Sequence, residues 1–116
     1  MDNYIQPGDV VTLTAPVGGV VSGTFYQIGQ LVVCASGTAA AAAQFEGATH
    51  GVFTAPKATG QVWAEGAILY WDDAAGKFTT TPEGNLRSGC AVADAISAAT
   101  TGSVRLDGIA RENEAT

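Results

Sequence analysis

Short apolar runs, separated by turns that contain glycine, recur along the whole chain. Residues 10–14 alternate apolar and polar side chains, which is typical of a strand with one buried face. Residues 31–35 form a continuous apolar run, which predicts a strand in the interior of a sheet. No long segment shows the 3.6-residue period of a helix. The pattern predicts an all-β fold of about eight to ten short strands, arranged as a single-domain β-sandwich, jelly-roll-like, or as a small barrel.

The clearest predicted element is a hairpin between Gly66 and Thr81, with an Asp-Asp-Ala-Ala-Gly turn in its middle. Asp and Gly favour turns because Asp bonds the nearby backbone and Gly tolerates a positive φ. Strand alternation places Leu69 and Trp71 on one face, with Ile68 and Tyr70 on the other. Because both faces are apolar, we expect both to be covered, by a second sheet or by another subunit.

The remaining segments are divided into an N-terminal arm (1–8), a β domain (9–110) and a frayed C-terminal tail (111–116). The five alanines at 39–43 follow Thr38, a possible helix cap, but a helix that short is marginal in water. We therefore expect a loop or a single helical turn there. Further strands are predicted at 20–21, 25–28, 44–46, 51–55, 61–65, 89–95 and 103–109.

Composition narrows the class of protein. Charged residues are only 14% of the 116, against about 25% in ordinary globular proteins, which predicts a weakly charged surface suited to contacts. The net charge is −6, and nucleic acid is an unsuitable partner because its binding requires clustered cations. The five basic residues are instead scattered along the sequence: Lys57, Lys77, Arg87, Arg105 and Arg111.

The sequence shows no signal-peptide pattern and no apolar stretch of the roughly 18 residues that a membrane span needs. We therefore expect no membrane partner, and a location in the cytoplasm or in a particle assembled there. Cys34 and Cys90 both lie in apolar, strand-like surroundings. They are interpreted as buried free thiols, with a disulfide as the alternative.

Candidate chemistry is sparse. His50 is the single histidine, and a structural or surface role is favoured over a general base. Asp72 and Asp73 lack the alternating ligand pattern of a calcium loop. Gly76-Lys77 resembles the end of a phosphate loop, but Trp71 and Phe78 stand where that motif requires Gly and Ser or Thr. We therefore predict no catalytic residue, no metal and no cofactor.

The aromatic residues of the second half allow two interpretations. Trp63, Tyr70 and Trp71 could form a platform on which a sugar stacks, as in a small carbohydrate-binding or adhesion module. The favoured interpretation assigns these three, together with Phe78, to the core or to a subunit interface, because large aromatics dominate both.

Five stretches, in order along nearly the whole chain, carry a resemblance to known proteins: 4–20, 51–57, 66–73, 79–85 and 102–106. They resemble a family of small tailed-phage and prophage head proteins that was long catalogued as a domain of unknown function. Some of its members are understood as capsid decoration, or cement, proteins. The alanine run and the tail after Leu106 lie outside the resemblance. With this resemblance, the sugar-platform alternative would be an adhesion module of a phage particle.

The resemblance implies a non-enzymatic protein on the exterior of the virion head, assembled in the cytoplasm of the bacterial host. It would bind the major capsid protein and stabilise the shell. It would also bind itself as a homodimer, with a trimer as the second choice. We expect the arm to contact the capsid and to become ordered on binding. The contact candidates are Tyr4, Ile5, Gln6 and Pro7.

Overall fold

The computed structural model describes residues 8–112, which form nine β-strands and no helix. This confirms the prediction of a small all-β domain. The strands are β1 (Val10–Thr14), β2 (Phe25–Ile28), β3 (Leu31–Ala35), β4 (Gln44–Ala48), β5 (His50–Pro56), β6 (Ile68–Asp72), β7 (Lys77–Thr79), β8 (Leu86–Ala91) and β9 (Thr101–Asp107).

The strands form two antiparallel sheets, four-stranded in the order β1-β4-β3-β2 and five-stranded in the order β5-β9-β8-β6-β7. The chain crosses from the first sheet to the second at Thr49, which is buried between β4 and β5. Its backbone N–H donates to the Asp9 carbonyl oxygen at 2.8 Å, and its hydroxyl donates to the Gly8 carbonyl oxygen. These bonds anchor Gly8 and Asp9 to the crossover.

Both sheets contribute to one main core. Phe25 of β2 packs edge-on against Phe78 of β7, with ring centroids 5.2 Å apart. It also packs against Trp71 of β6 in a tilted arrangement, with ring centroids 6.1 Å apart. The strand β3 is buried on both faces because Val32 joins this core while Val33 joins a second apolar cluster on the other side of the four-stranded sheet. The double burial explains the uninterrupted apolar run of β3.

The five-stranded sheet curls until its two edge strands meet. Lys57, just after β5, forms a parallel bridge with Phe78 of β7, and the Ala58 N–H donates to the Phe78 carbonyl oxygen at 2.9 Å. The domain therefore has the paired sheets of a sandwich and, in one sheet, the partial closure of a barrel.

The predicted hairpin is confirmed, with Trp71 opposite Phe78 in the register of β6 and β7. The chain itself covers only one face of β6, so coverage of the other face by another subunit stays a prediction. Leu69 and Trp71 are buried, but Ile68 is 45% exposed and Tyr70 is half-buried. The second sheet packs against one face only, because the sheet curls around the main core.

Two predicted strands are absent as such. Val20 makes a single bridge to Ala39, and Trp63 makes a single bridge to Ala95, so the segments 20–21 and 61–65 stay irregular. The predicted loop at the alanine run is confirmed, since Ala39 is held by Val20 and Ala42 has a φ of 67°.

The last two strands are shifted from their predicted positions. β8 ends at Ala91 rather than 95, because the chain turns there and the Asp94 carboxylate accepts the Glu65 N–H at 2.8 Å. β9 begins two residues earlier than predicted and ends before Gly108, whose φ of 71° breaks the extended conformation. The other predicted strands lie within one or two residues of their positions.

Candidate functional site

The predicted capsid-contact residues lie outside the described part of the chain, and their role stays a prediction. They are Tyr4, Ile5, Gln6 and Pro7. Gly8, the last residue of the predicted arm, has a carbonyl oxygen that accepts the Thr49 hydroxyl beside the crossover between the sheets.

Three of the four singled-out aromatics are core residues. Trp63 and Phe78 are 0% exposed and Trp71 is 3% exposed, while Tyr70 is half-buried on the outer face of β6. The Trp71 and Phe78 rings pack 4.9 Å apart, and the Trp71 indole N–H donates to the Asp73 carboxylate at 2.9 Å. Two of the three rings in the supposed sugar platform therefore offer no face to a ligand.

A buried lysine was not predicted. Lys57 is 0% exposed, and its ammonium group donates to the backbone carbonyl oxygens of Gln61 at 2.6 Å and Ala58 at 3.1 Å. A third carbonyl oxygen, of Ala99, lies at 3.5 Å. These bonds satisfy the ammonium group, which has no carboxylate partner among residues 8–112. A lone lysine after a proline carries no signal of this in the sequence.

The Gln61 side chain continues this polar network. Its carbonyl oxygen accepts the Thr80 N–H at 2.7 Å, and its amide group donates to the Thr79 hydroxyl at 2.9 Å. Lys57 and Gln61 together tie the segment after β5 to the end of the hairpin. The network is a structural brace, because its polar atoms are engaged with one another and with the backbone.

The outer face of the five-stranded sheet carries exposed apolar side chains beside arginines. One row of side chains crosses four neighbouring strands of this face. Each residue is opposite the next in the strand register: Val52 on β5, Arg105 on β9, Cys90 on β8 and Ile68 on β6. Tyr70, two residues along β6, lies on the same face. We call this surface the Arg105 face; its residues are Val52, Ile68, Tyr70, Lys77, Arg87, Cys90 and Arg105.

The register also concentrates positive charge on this face. Lys57 is buried, and Arg111 is paired with Asp107 at 2.8 Å. The other three basic side chains, Lys77, Arg87 and Arg105, are exposed on the Arg105 face, Lys77 at its edge. The cations that are scattered in the sequence are therefore gathered by the fold. Two half-buried carboxylates share this face: Asp72 is opposite Lys77, and Asp107, the partner of Arg111, is two residues from Arg105 on β9. The exposed carboxylates are those of Asp9, Glu46, Glu65, Asp73, Glu83, Asp94 and Glu112.

The two cysteines are both free. Cys34 is buried in the main core, and this burial raises the pKa of its thiol above the ordinary value. Cys90 is only half-buried, because it lies on the Arg105 face, so the prediction of two buried thiols is wrong for Cys90.

His50 begins β5 and lies beside the crossover between the sheets. His50 is exposed, 3.5 Å from the Asp9 carboxylate and 3.2 Å from the Thr49 hydroxyl. Within the same residues no group of three or more His, Cys, Asp or Glu is placed to hold a metal ion. That part of the chain likewise holds no helix long and apolar enough to cross a membrane.

Comparison with known proteins identifies one family. The family model described as "Phage cement protein" matches residues 5–106, which span β1 to β8 and most of β9. Searches of the curated proteins and of the solved structures find no match.

Proposed function

This chain belongs to the phage cement protein family, and we propose that it binds the outside of the major capsid protein shell and stabilises the head without catalysing a reaction. Membership supports a capsid-associated structural role and a location in the virion. The observation that carries the proposal is the extent of the family match, which begins in the arm and reaches Leu106 near the end of β9.

The fold is physically suited to this role. A cement protein must keep its shape while it holds neighbouring capsid subunits together. Here the two sheets share one core, and the polar network of Lys57 and Gln61 ties the end of β5 to the hairpin. The low content of charged residues leaves contact surfaces that are inexpensive to desolvate. We propose that assembly takes place in the cytoplasm of the bacterial host.

The strength of attachment depends on the number of contacts. A specific protein interface buries about 1,200–2,000 Å² in total, and an oligomer that touches several capsid subunits gains further through effective concentration. We propose a homodimer, with a trimer as the second choice. Light scattering on the purified protein distinguishes the two, and a monomer at high concentration would contradict both.

The proposal is tested with heads that lack the protein. Purified protein is added, the heads are sedimented, and the bound protein is measured together with the temperature at which the heads release their DNA. We expect saturable binding and a higher release temperature. Absence of the protein from intact particles, or binding with no change in release temperature, would overturn the proposed stabilising role.

A further inference from the structure

We propose that the Arg105 face docks on an acidic patch of the capsid shell, with Arg87 and Arg105 binding carboxylates of that patch. The inference rests on the proposed function. It adds the side of the molecule that meets the shell and the chemistry of the surface that receives it.

The first support is the composition of the face. Val52 is 60% exposed and Ile68 is 45% exposed, and they flank Arg105 and Cys90 in one row across four strands. Tyr70 is half-buried beside them. Aromatic residues and arginine are enriched in protein interfaces, where apolar side chains exclude water around the polar contacts.

The second support is the state of the two guanidinium groups. Arg87 and Arg105 are both exposed. Within residues 8–112 the basic side chains that lie within 4 Å of a carboxylate are His50, beside Asp9, and Arg111, beside Asp107. Both groups are therefore available to a partner. A guanidinium group binds a carboxylate through two parallel N–H bonds, which favours an acidic protein surface as the partner.

The third support is the contrast with the remaining surface. The chain carries a net charge of −6, so an acidic partner repels most of the molecule. The Arg105 face is where the described chain exposes its cations. Attraction at one face and repulsion at the others would set the orientation of docking, which is the main effect of electrostatic complementarity.

The same charges argue against a second copy as the occupant. Two-fold pairing centred on the row of Arg105 and Cys90 would bring the Arg105 guanidinium groups of the two copies close together at the axis. Like charges brought together across an interface cost free energy. The shell is therefore the occupant that we propose, and self-association through this face is an outcome that the experiment must distinguish.

The test measures binding to heads that lack the protein, using wild type, Arg105→Glu and a control of equal charge. The control carries Gln30→Glu and Gln44→Glu, two exposed positions of the four-stranded sheet and its turn, so both variants change the net charge by −2. We expect Arg105→Glu to weaken binding by about tenfold or more. The control should stay within about twofold of wild type, because surface changes outside an interface have small effects.

A second variant, Arg105→Gln, removes the charge while keeping most of the stem, and should weaken binding less than Arg105→Glu. If circular dichroism shows that Arg105→Glu does not fold, the binding of Arg105→Gln tests whether Arg105 contributes to docking. Failure of wild type itself to bind would refute the proposed function. Equal binding by wild type and both Arg105 variants would refute this inference alone. A wild-type oligomer that becomes monomeric in Arg105→Glu would assign the face to contacts between copies and also overturn the inference.

Discussion

The ammonium group of Lys57 lies 5.6 Å from the centre of the Trp63 ring, and both side chains are completely buried. The contact has the geometry of a cation–π interaction, which gains strength when water is excluded. It adds to the carbonyl bonds that Lys57 makes, and it places the charge at the point where the five-stranded sheet closes on itself.

Replacement of Lys57 by Met should destabilise the domain. Methionine fills much of the same space, but the carbonyl oxygens of Ala58 and Gln61 lose their donor in a partly buried site. A buried polar group without a partner costs about 1–3 kcal/mol, so we expect a loss of that order in the free energy of unfolding, measured by urea denaturation. Lys77→Met, at an exposed position, is the control and should change it by less than about 0.5 kcal/mol. Equal stability of the two variants would contradict the structural role of Lys57.

Gly89 should tolerate no side chain. A Cβ atom there would lie 1.9 Å from the carbonyl oxygen of Arg105, a backbone atom of the neighbouring strand that cannot move without disturbing the sheet. We expect Gly89→Ala to lower the free energy of unfolding by about 1–3 kcal/mol or more. Gly37→Ala is the matched control, because a Cβ atom there meets nothing within 4 Å. Thermal unfolding followed by circular dichroism compares them, and similar melting temperatures would show that β8 and β9 do not pack this closely.

Cys34 should make stability depend on pH in the alkaline range. Burial raises the pKa of this thiol in the folded state, so the unfolded chain loses the proton first as the pH rises. Stability is therefore retained below the ordinary thiol pKa of about 8.5 and falls as the pH rises through and above it. Urea denaturation of wild type and Cys34→Ala between pH 7 and pH 10 isolates the effect. As the pH rises, the free energy of unfolding of wild type should fall relative to that of Cys34→Ala. A difference that stays constant with pH would count against burial of the thiol.

The two tryptophans should be protected from iodide. Trp63 and Trp71 are 0% and 3% exposed, so a charged quencher has little access to either ring. We expect quenching of the native fluorescence to be much weaker than in the urea-unfolded protein. Val62→Trp, at a position that is 69% exposed, supplies a strongly quenched control. Strong quenching of wild type would restore the sugar-platform interpretation, which needs exposed rings.

Deletion of residues 2–6 should weaken attachment to heads while leaving the fold intact. The arm contains the anchor candidates Tyr4 and Ile5, and the domain that follows is held by its own contacts from Gly8 onward. Sedimentation with heads measures binding, and circular dichroism with thermal unfolding checks the fold. Full retention of binding would remove the arm from the contact surface.

Much of the fold class was accessible from the sequence, because period-two alternation and frequent glycines report strands and turns directly. The run at β3 was correctly assigned to the interior of a sheet, since burial on both faces requires apolar residues throughout. The single bridges at Val20 and Trp63 were mistaken for strands, because an apolar residue that packs on the core gives the same local pattern as a strand residue.

The Arg105 face could not be predicted because it depends on which strands are neighbours and on a β-bulge. Arg87 and Cys90 are three residues apart on β8, so simple alternation places them on opposite faces. An irregularity in the pairing of β6 with β8, between Leu69 and Tyr70, brings them to the same face. The burial of Lys57 was equally inaccessible, since its partners are backbone carbonyl groups, which every residue possesses.

The bridge between Lys57 and Phe78 affects how copies of the protein would meet if many of them were packed on one particle. An open sheet margin offers unpaired backbone groups to any neighbouring copy and invites uncontrolled growth into fibrils. At this bridge the curled sheet pairs backbone groups at its two edges, next to β5 and in β7, with each other. Those groups are then no longer open to a neighbouring copy. Crowded copies would then meet through side chains, whose identity evolution can tune, rather than through main-chain groups that pair indiscriminately.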